Sequence, residues 1–241
     1  MVSLRHTPFA DQVPLLNFPT WAPPDAQGAV AYFNYLVFEN PDTSALIQEE
    51  AAINNVLYLG FTPGGVNVFV SKEPFAQLSD LVGKKFGAPR VSPAFEALGY
   101  TVVESPLSAT YENLSGGVVE ATQAGFGPAV GLKWYEVCKY YMFDGTHAAG
   151  NAFTVNLDTW AELTPDTQAI MYEAAAETEI FSLELDAADT EAATRLLTDA
   201  GVTVGKLSKE DAAQWWTALF GASAADCMAR AKNLGIIDHM T

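Results

Sequence analysis

Three groups of residues in this chain have types and spacings that do chemistry. Gly125, Gly127 and Gly131 form a GxGxxxG stretch behind an extended segment, with Asp144 at about the offset where an acid meets a ribose hydroxyl. That is the pattern of a dinucleotide cradle. Pro128 inside the turn, and Glu120 and Gln123 in the strand before it, argue instead for a strand-to-helix junction in which glycine permits close packing. The second group is Cys138, His147 and Asp144, the residue types of a thiol nucleophile and its base. Cys138 falls in a helix predicted over 132–141 among Tyr135, Tyr140 and Tyr141, a setting that suits a packed thiol better than a thiolate. The third is Arg90, one of four arginines, placed between a strand ending at Pro89 and a helix opening at Pro93. Ligands of open α/β sheets bind at the carboxyl ends of strands, where a guanidinium fork holds a carboxylate. The alternative for Arg90 is a surface ion pair with one of the 29 acids.

The elements that must position these groups follow from periodicity and punctuation. Prolines at 8, 14, 19, 23 and 24 make the start loop-rich. Helices are predicted over 26–38 and 43–54, then short strands over 56–61 and 66–71 separated by the turn signal Thr62-Pro63-Gly64-Gly65. In the second strand Val66, Val68 and Val70 share one face and Asn67 and Phe69 the other. Strands over 85–89, 100–103, 117–123 and 152–156 alternate with helices over 92–98, 108–115 and 132–141, a βαβ rhythm that predicts an α/β class with a largely parallel sheet. From Thr164-Pro165 no Gly or Pro occurs until Gly201, which predicts one very long helix of roughly 54 Å, or two in series. Its apolar row is Ile170, Ala174, Phe181, Leu185, Ala188, Ala192 and Leu196, with Glu173, Glu177, Glu184 and Glu191 elsewhere. Ser208 and Asp211 form a capping-box pattern before the Trp215-Trp216 helix, and a last helix is predicted over 223–234.

Composition narrows the partners. Twelve basic residues against 29 acidic give a net charge of −17, which repels phosphate backbones and anionic lipid surfaces, so nucleic acid is excluded as a partner. Three histidines and two cysteines 89 positions apart, without a CxxC, give no basis for a metal site and leave a single Cys138–Cys227 bridge open. No apolar run approaches the roughly 18 to 20 residues that span a bilayer. The first residues show no apolar signal core.

Several blocks then align with one known pattern: Leu16-Asn-Phe-Pro19, the stretch from Asp80 to Phe86, Ala94 to Val103, Tyr111-Glu-Asn-Leu114, Gly117-Val-Val-Glu120, KWYEVCKY over 133–140, and NLDTWAEL over 156–163 followed by Gln168. In order and spacing the chain resembles the DctP-type solute-binding proteins of TRAP transporters. The resemblance implies a periplasmic receptor of two α/β lobes, of the two-lobed class II binding-protein fold, joined by crossing strands and one long helix. Such a receptor closes on a small organic acid and delivers it to the membrane subunits, with no cofactor and no catalysis. The lobes are expected at 1–64 plus 152–192 and at 65–151 plus 193–241. Against the family pattern the chain lacks a leader and the first strands and helix, so an amino-terminally incomplete receptor is expected. The competing reading is an NAD(P)- or thiol-dependent enzyme.

The ligand site is expected between the lobes, lined by Asn67, Phe69, Arg90, Phe126 and Asn151. The family commonly carries an arginine where this chain has Gly87 and an asparagine where it has Ala124, and a further ligand-facing position, often arginine, falls at Asn67. Either Arg90 supplies the carboxylate clamp from three residues further on, or the ligand is neutral. Phe69 and Phe126 are expected as apolar walls.

Overall fold

The computed structural model describes residues 2–3, 15, 23–88 and 93–233. In chain order the elements are β1 (Val2–Ser3), α1 (Ala26–Asn34), α2 (Ser44–Ile53), β2 (Val56–Ser71), β3 (Lys85–Ala88), α3 (Pro93–Ala97), β4 (Thr101–Glu104), α4 (Thr110–Ser115), β5 (Ala121–Gly125), α5 (Phe126–Gly131), β6 (Tyr140–Asn156), α6 (Leu157–Glu162), α7 (Pro165–Asp199), β7 (Thr203–Lys206) and α8 (Lys209–Asn233). The chain divides into two compact units: unit 1 is Met1–Gly64, Ala148–Asp186 and Ala224–Thr241, and unit 2 is Gly65–His147 and Ala187–Ser223. β2, β6, α7 and α8 therefore each contribute to both.

Four expectations change. The Thr62-Pro63-Gly64-Gly65 signal does not separate two strands: β2 runs unbroken for 16 residues, with Gly65 at φ +78° within it. The helix expected over 132–141 does not form, because Lys133 takes a left-handed φ of +59° and leaves only a 3-10 turn at Trp134–Glu136 before β6 begins. The sheet is mixed rather than largely parallel: β2 pairs antiparallel with β5, while β3 lies parallel to both β4 and β5, and β6 parallel to β7. Finally, the two helices expected at the carboxyl end are one, α8.

In unit 2 the alternation along β2 sends side chains into two separate clusters. Val68 and Val70 pack with Leu114, Phe126, Trp134, Tyr141 and Leu197. Phe69 packs on the other side with Phe86, Phe95, Tyr100 and Trp215. The rings meet at centroid distances of 5.4 Å (Phe69–Trp215), 4.7 Å (Phe86–Phe95) and 5.1 Å (Phe95–Trp215), separations at which each pair adds about 0.5–1.5 kcal/mol beyond its buried area. α8 reaches this cluster because its amino end is fixed twice. The Ser208 hydroxyl accepts from the Asp211 N–H at 3.0 Å, and the Asp211 carboxylate accepts from the Leu78 N–H at 3.0 Å.

Unit 1 is built around Phe33, Tyr58 and Phe61, with Phe33 stacked on Phe61 at 5.5 Å. β1 pairs with β6 in the register Ser3↔Asn151. α7 approaches β2 where Gly60 offers no side chain, its nearest neighbour being the Ala175 Cβ. The inward row of α7 in this unit passes through Ala175, so the expected row of Ile170, Phe181 and Leu185 points outward and is exposed.

Candidate functional site

Asn67 lies in unit 2 at the end of the β2–β5 ladder, directly opposite Gly125, and is only 3% exposed. The next residue of that partner chain segment, Phe126, opens α5, so the ladder brings Asn67 and Phe126 to one edge. The two side chains then part. Asn67 shares the strand face of Phe69, whereas the Phe126 ring enters the valine-side cluster, 4.9 Å from Phe143. Phe69 itself is fully buried among aromatic rings. Asn151 belongs to unit 1, where its amide donates to the Pro63 carbonyl at 3.1 Å and ties β6 to the middle of β2. Arg90 lies outside the described residues.

Of the three positions at which the chain departs from the resemblance, Gly87 and Ala124 are closed in by their neighbours. A Cβ at Gly87 would lie 3.1 and 3.2 Å from the Val119 methyls and 3.3 Å from the Ser105 Cβ, and Ala124 is buried in the same valine-side cluster. A hydroxyl network lines this end of β3. Thr122 donates to the Gly87 carbonyl at 2.8 Å, Asn113 donates to the Ser105 hydroxyl at 3.0 Å, and Ser105 and Thr110 share a hydrogen bond of 3.1 Å.

Asp144, the 125–131 stretch and Cys138 each have a structural role. Asp144 is buried on β6 and accepts from the Trp215 indole N–H at 3.3 Å, the Gln123 amide at 3.2 Å and the Thr146 N–H at 3.2 Å. It is a fastening between α8 and the sheet, not a free acid for a ribose. Gly125 to Gly131 form the junction of β5 and the six-residue α5, with Ala129 buried. Burial pushes the Cys138 thiol up to about 12, against the pull of Lys72 and Lys139, so it is protonated at neutral pH. The His147 side chain lies outside the described residues. Among the described residues no group of three His, Cys, Asp or Glu could hold a metal ion, and no helix is long and apolar enough to cross a membrane. Sequence reasoning missed the structural use of Asp144 and of Glu50, which is fully buried and accepts from the Leu15 N–H at 2.7 Å. The only signal for Asp144 was a lone acid directly after the apolar run Tyr140 to Phe143.

A family model described as bacterial extracellular solute-binding protein, family 7 (DctP) matches residues 35–223. The chain belongs to this family. Its residues include both strands that pass through the two units and the whole of α7. Solved structures share the fold. A TRAP periplasmic solute-binding protein from Desulfovibrio salexigens with bound orotic acid superimposes with a TM-score of 0.80 at 21% identity, over 98% of this chain and 76% of that one. Another from Sulfitobacter sp. NAS-14.1, with bound β-D-galacturonate, gives a TM-score of 0.76 at 17% identity, over 96% of this chain and 76% of that one. These likenesses show the two-lobed α/β fold. A curated solute-binding protein of Sulfitobacter sp. (strain NAS-14.1) is 25% identical over 84% of this chain and 61% of its own length, so the chain spans about three fifths of that relative.

Proposed function

We propose that the chain is an extracytoplasmic solute-binding receptor of a TRAP transporter, working in the periplasm. It binds a small organic acid and delivers it to the membrane subunits without chemical change. The match of residues 35–223 to family 7 carries this reading. The relatives that hold orotic acid and galacturonate support an acid ligand. Units 1 and 2 are the two lobes. Asn67 and Asn151 supply neutral polar contacts from their respective units, Arg90 supplies the carboxylate clamp, and Phe69 and Phe126 hold the Asn67 end of the ladder in place from within the core.

A thermal-shift panel of orotate, galacturonate and short carboxylates beside neutral sugars and NAD(P) tests the reading. Ligand at a hundred times its Kd stabilises the folded state by about 2.7 kcal/mol. An acid should raise Tm and be recovered unaltered, whereas turnover or a response to NAD(P) alone would favour an enzyme. Arg90→Ala should abolish acid binding and leave the ligand-free Tm nearly unchanged. One observation favours a second reading, a neutral ligand held by Asn67 and Asn151: Gly87 and Ala124 point into packed core and offer no side-chain donor. An unaltered Kd in Arg90→Ala would select it.

A further inference from the structure

α7 has two apolar rows, and unit 1 buries only one. Ala175 is 6% exposed on the inward side, while Ile170, Phe181 and Leu185 stand outward at 62%, 59% and 44%. With Ala174 they are spaced by four, seven and four residues, which makes one stripe roughly 22 Å long on a helix. Glu173, Glu177 and Glu184, all exposed, repeat the spacing of four and seven and form a second row along one flank of the stripe. Between Pro165 and Asp186 α7 contains no Lys or Arg, so nothing on this part of the helix neutralises that acidic row.

We infer that this outward face of α7 is a docking surface for an amphipathic helix of another protein, one whose apolar ridge is flanked by Lys or Arg. A straight apolar stripe with one charged flank matches the ridge of a second helix better than a flat surface or an extended peptide. Charge chooses the sign of the partner. A second copy of this chain would bring two rows of glutamates together, and the net charge of −17 opposes that approach at longer range as well. Anionic lipid is repelled for the same reason. A basic helix gains Coulomb attraction at the acidic row and steering on approach. The inference does not rest on the solute-binding reading, because none of the residues assigned to the ligand belongs to α7.

The test uses the full chain and two synthetic four-turn helical peptides with the same leucine ridge, one flanked by Lys and the other by Glu, titrated by fluorescence anisotropy at low salt. The Lys peptide should bind at least tenfold more tightly than the Glu peptide, and its affinity should fall as salt rises. Ile170→Ser combined with Phe181→Ser should weaken it at least tenfold. Glu177→Lys combined with Glu184→Lys should reverse the preference between the peptides. All four positions are exposed, and a thermal melt by circular dichroism verifies that each variant is folded. Equal affinity for the two peptides, or an unchanged Kd in the serine variant, overturns the proposal. So does a dimer in sedimentation equilibrium that Phe181→Ser disperses, which assigns the face to a second copy. A crosslinker attached through Phe181→Cys that, with the Lys peptide present, couples only to the chain's own residues also overturns the proposal.

Discussion

In unit 2 both faces of the sheet are covered by elements from far along the chain, Trp215 of α8 over Phe69 and Leu197 of α7 over the valine row. Unit 1 packs Phe33, Tyr58 and Phe61, yet Tyr35, Phe38 and Ile53 are exposed in its helical segments, and Ile170, Ile180 and Phe181 on α7. The contrast lies in geometry rather than in hydrophobicity. A strand has only two faces, so alternation assigns each residue to one cluster or the other. A helix rich in apolar residues has several possible inward rows, and the one that wins depends on how closely a neighbour can approach. At Gly60 and Ala175 the smallest side chains, not the largest, decide which row of α7 turns inward.

The sharpest way to break this comparison is thiol chemistry. Native Cys138, buried in unit 2 and held protonated, should react with iodoacetamide at pH 8 about a thousandfold more slowly than in the urea-unfolded chain, a ratio set by the opening of a cooperative core. Cys227 of unit 1, only partly buried, should react much nearer its unfolded rate. Comparable protection of both thiols would mean that unit 1 is as closed as unit 2. Next in size is Trp215→Ala, expected to cost about 3–5 kcal/mol in urea denaturation, because it removes the ring between Phe69 and Phe95 and one donor to buried Asp144. Phe181→Ala in unit 1 should stay within about 0.5 kcal/mol.

Gly150→Ala tests the packed part of unit 1. The new Cβ would sit 2.7 and 2.8 Å from Cε2 and Cδ2 of Phe33, so the ring must move, at a cost of about 1–3 kcal/mol. A neutral result would show that the Phe33 cluster yields easily, unlike the core of unit 2. The smallest effect belongs to Asp80, an exposed carboxylate whose pKa is held down first by the Ala76 N–H and then by the Gln77 side chain. A lowered folded pKa means that its contribution is complete above the usual carboxylate range and is lost as pH falls through the folded value. The Tm difference between the native chain and Asp80→Asn should therefore be small at pH 6 and shrink further as acid protonates Asp80. A difference that grows in acid would contradict this sign.

Much of the fold was legible because its signals are local. The Pro165 start of α7, the Ser208 cap of α8 and the Val68/Phe69 alternation each rest on a few neighbouring residues, and each stands in the structure. What failed depended on distant partners. Pro63-Gly64-Gly65 reads as a turn between two strands unless one knows that β2 continues from one unit into the other. The helix over 132–141 reads well until Lys133 takes a left-handed conformation, which its side chain does nothing to announce. For the candidate site, strand alternation put Asn67 and Phe69 on one face and the resemblance supplied Phe126 and Asn151, but neither could tell a ring that lines a ligand from one buried in a cluster. Both Phe69 and Phe126 are core rings.

The division of each unit into separated stretches of chain has a consequence for its birth. The Leu78 N–H waits for Asp211, 133 positions later, and the Asn34 amide for Glu179, 145 positions later. At the roughly 5–20 residues per second of synthesis, those gaps last on the order of ten seconds, during which Phe69 and its neighbouring rings have no Trp215 to cover them. Neither half can finish folding as it leaves the ribosome. A growing chain of this design spends its synthesis exposing the surfaces that later become its best-packed interior.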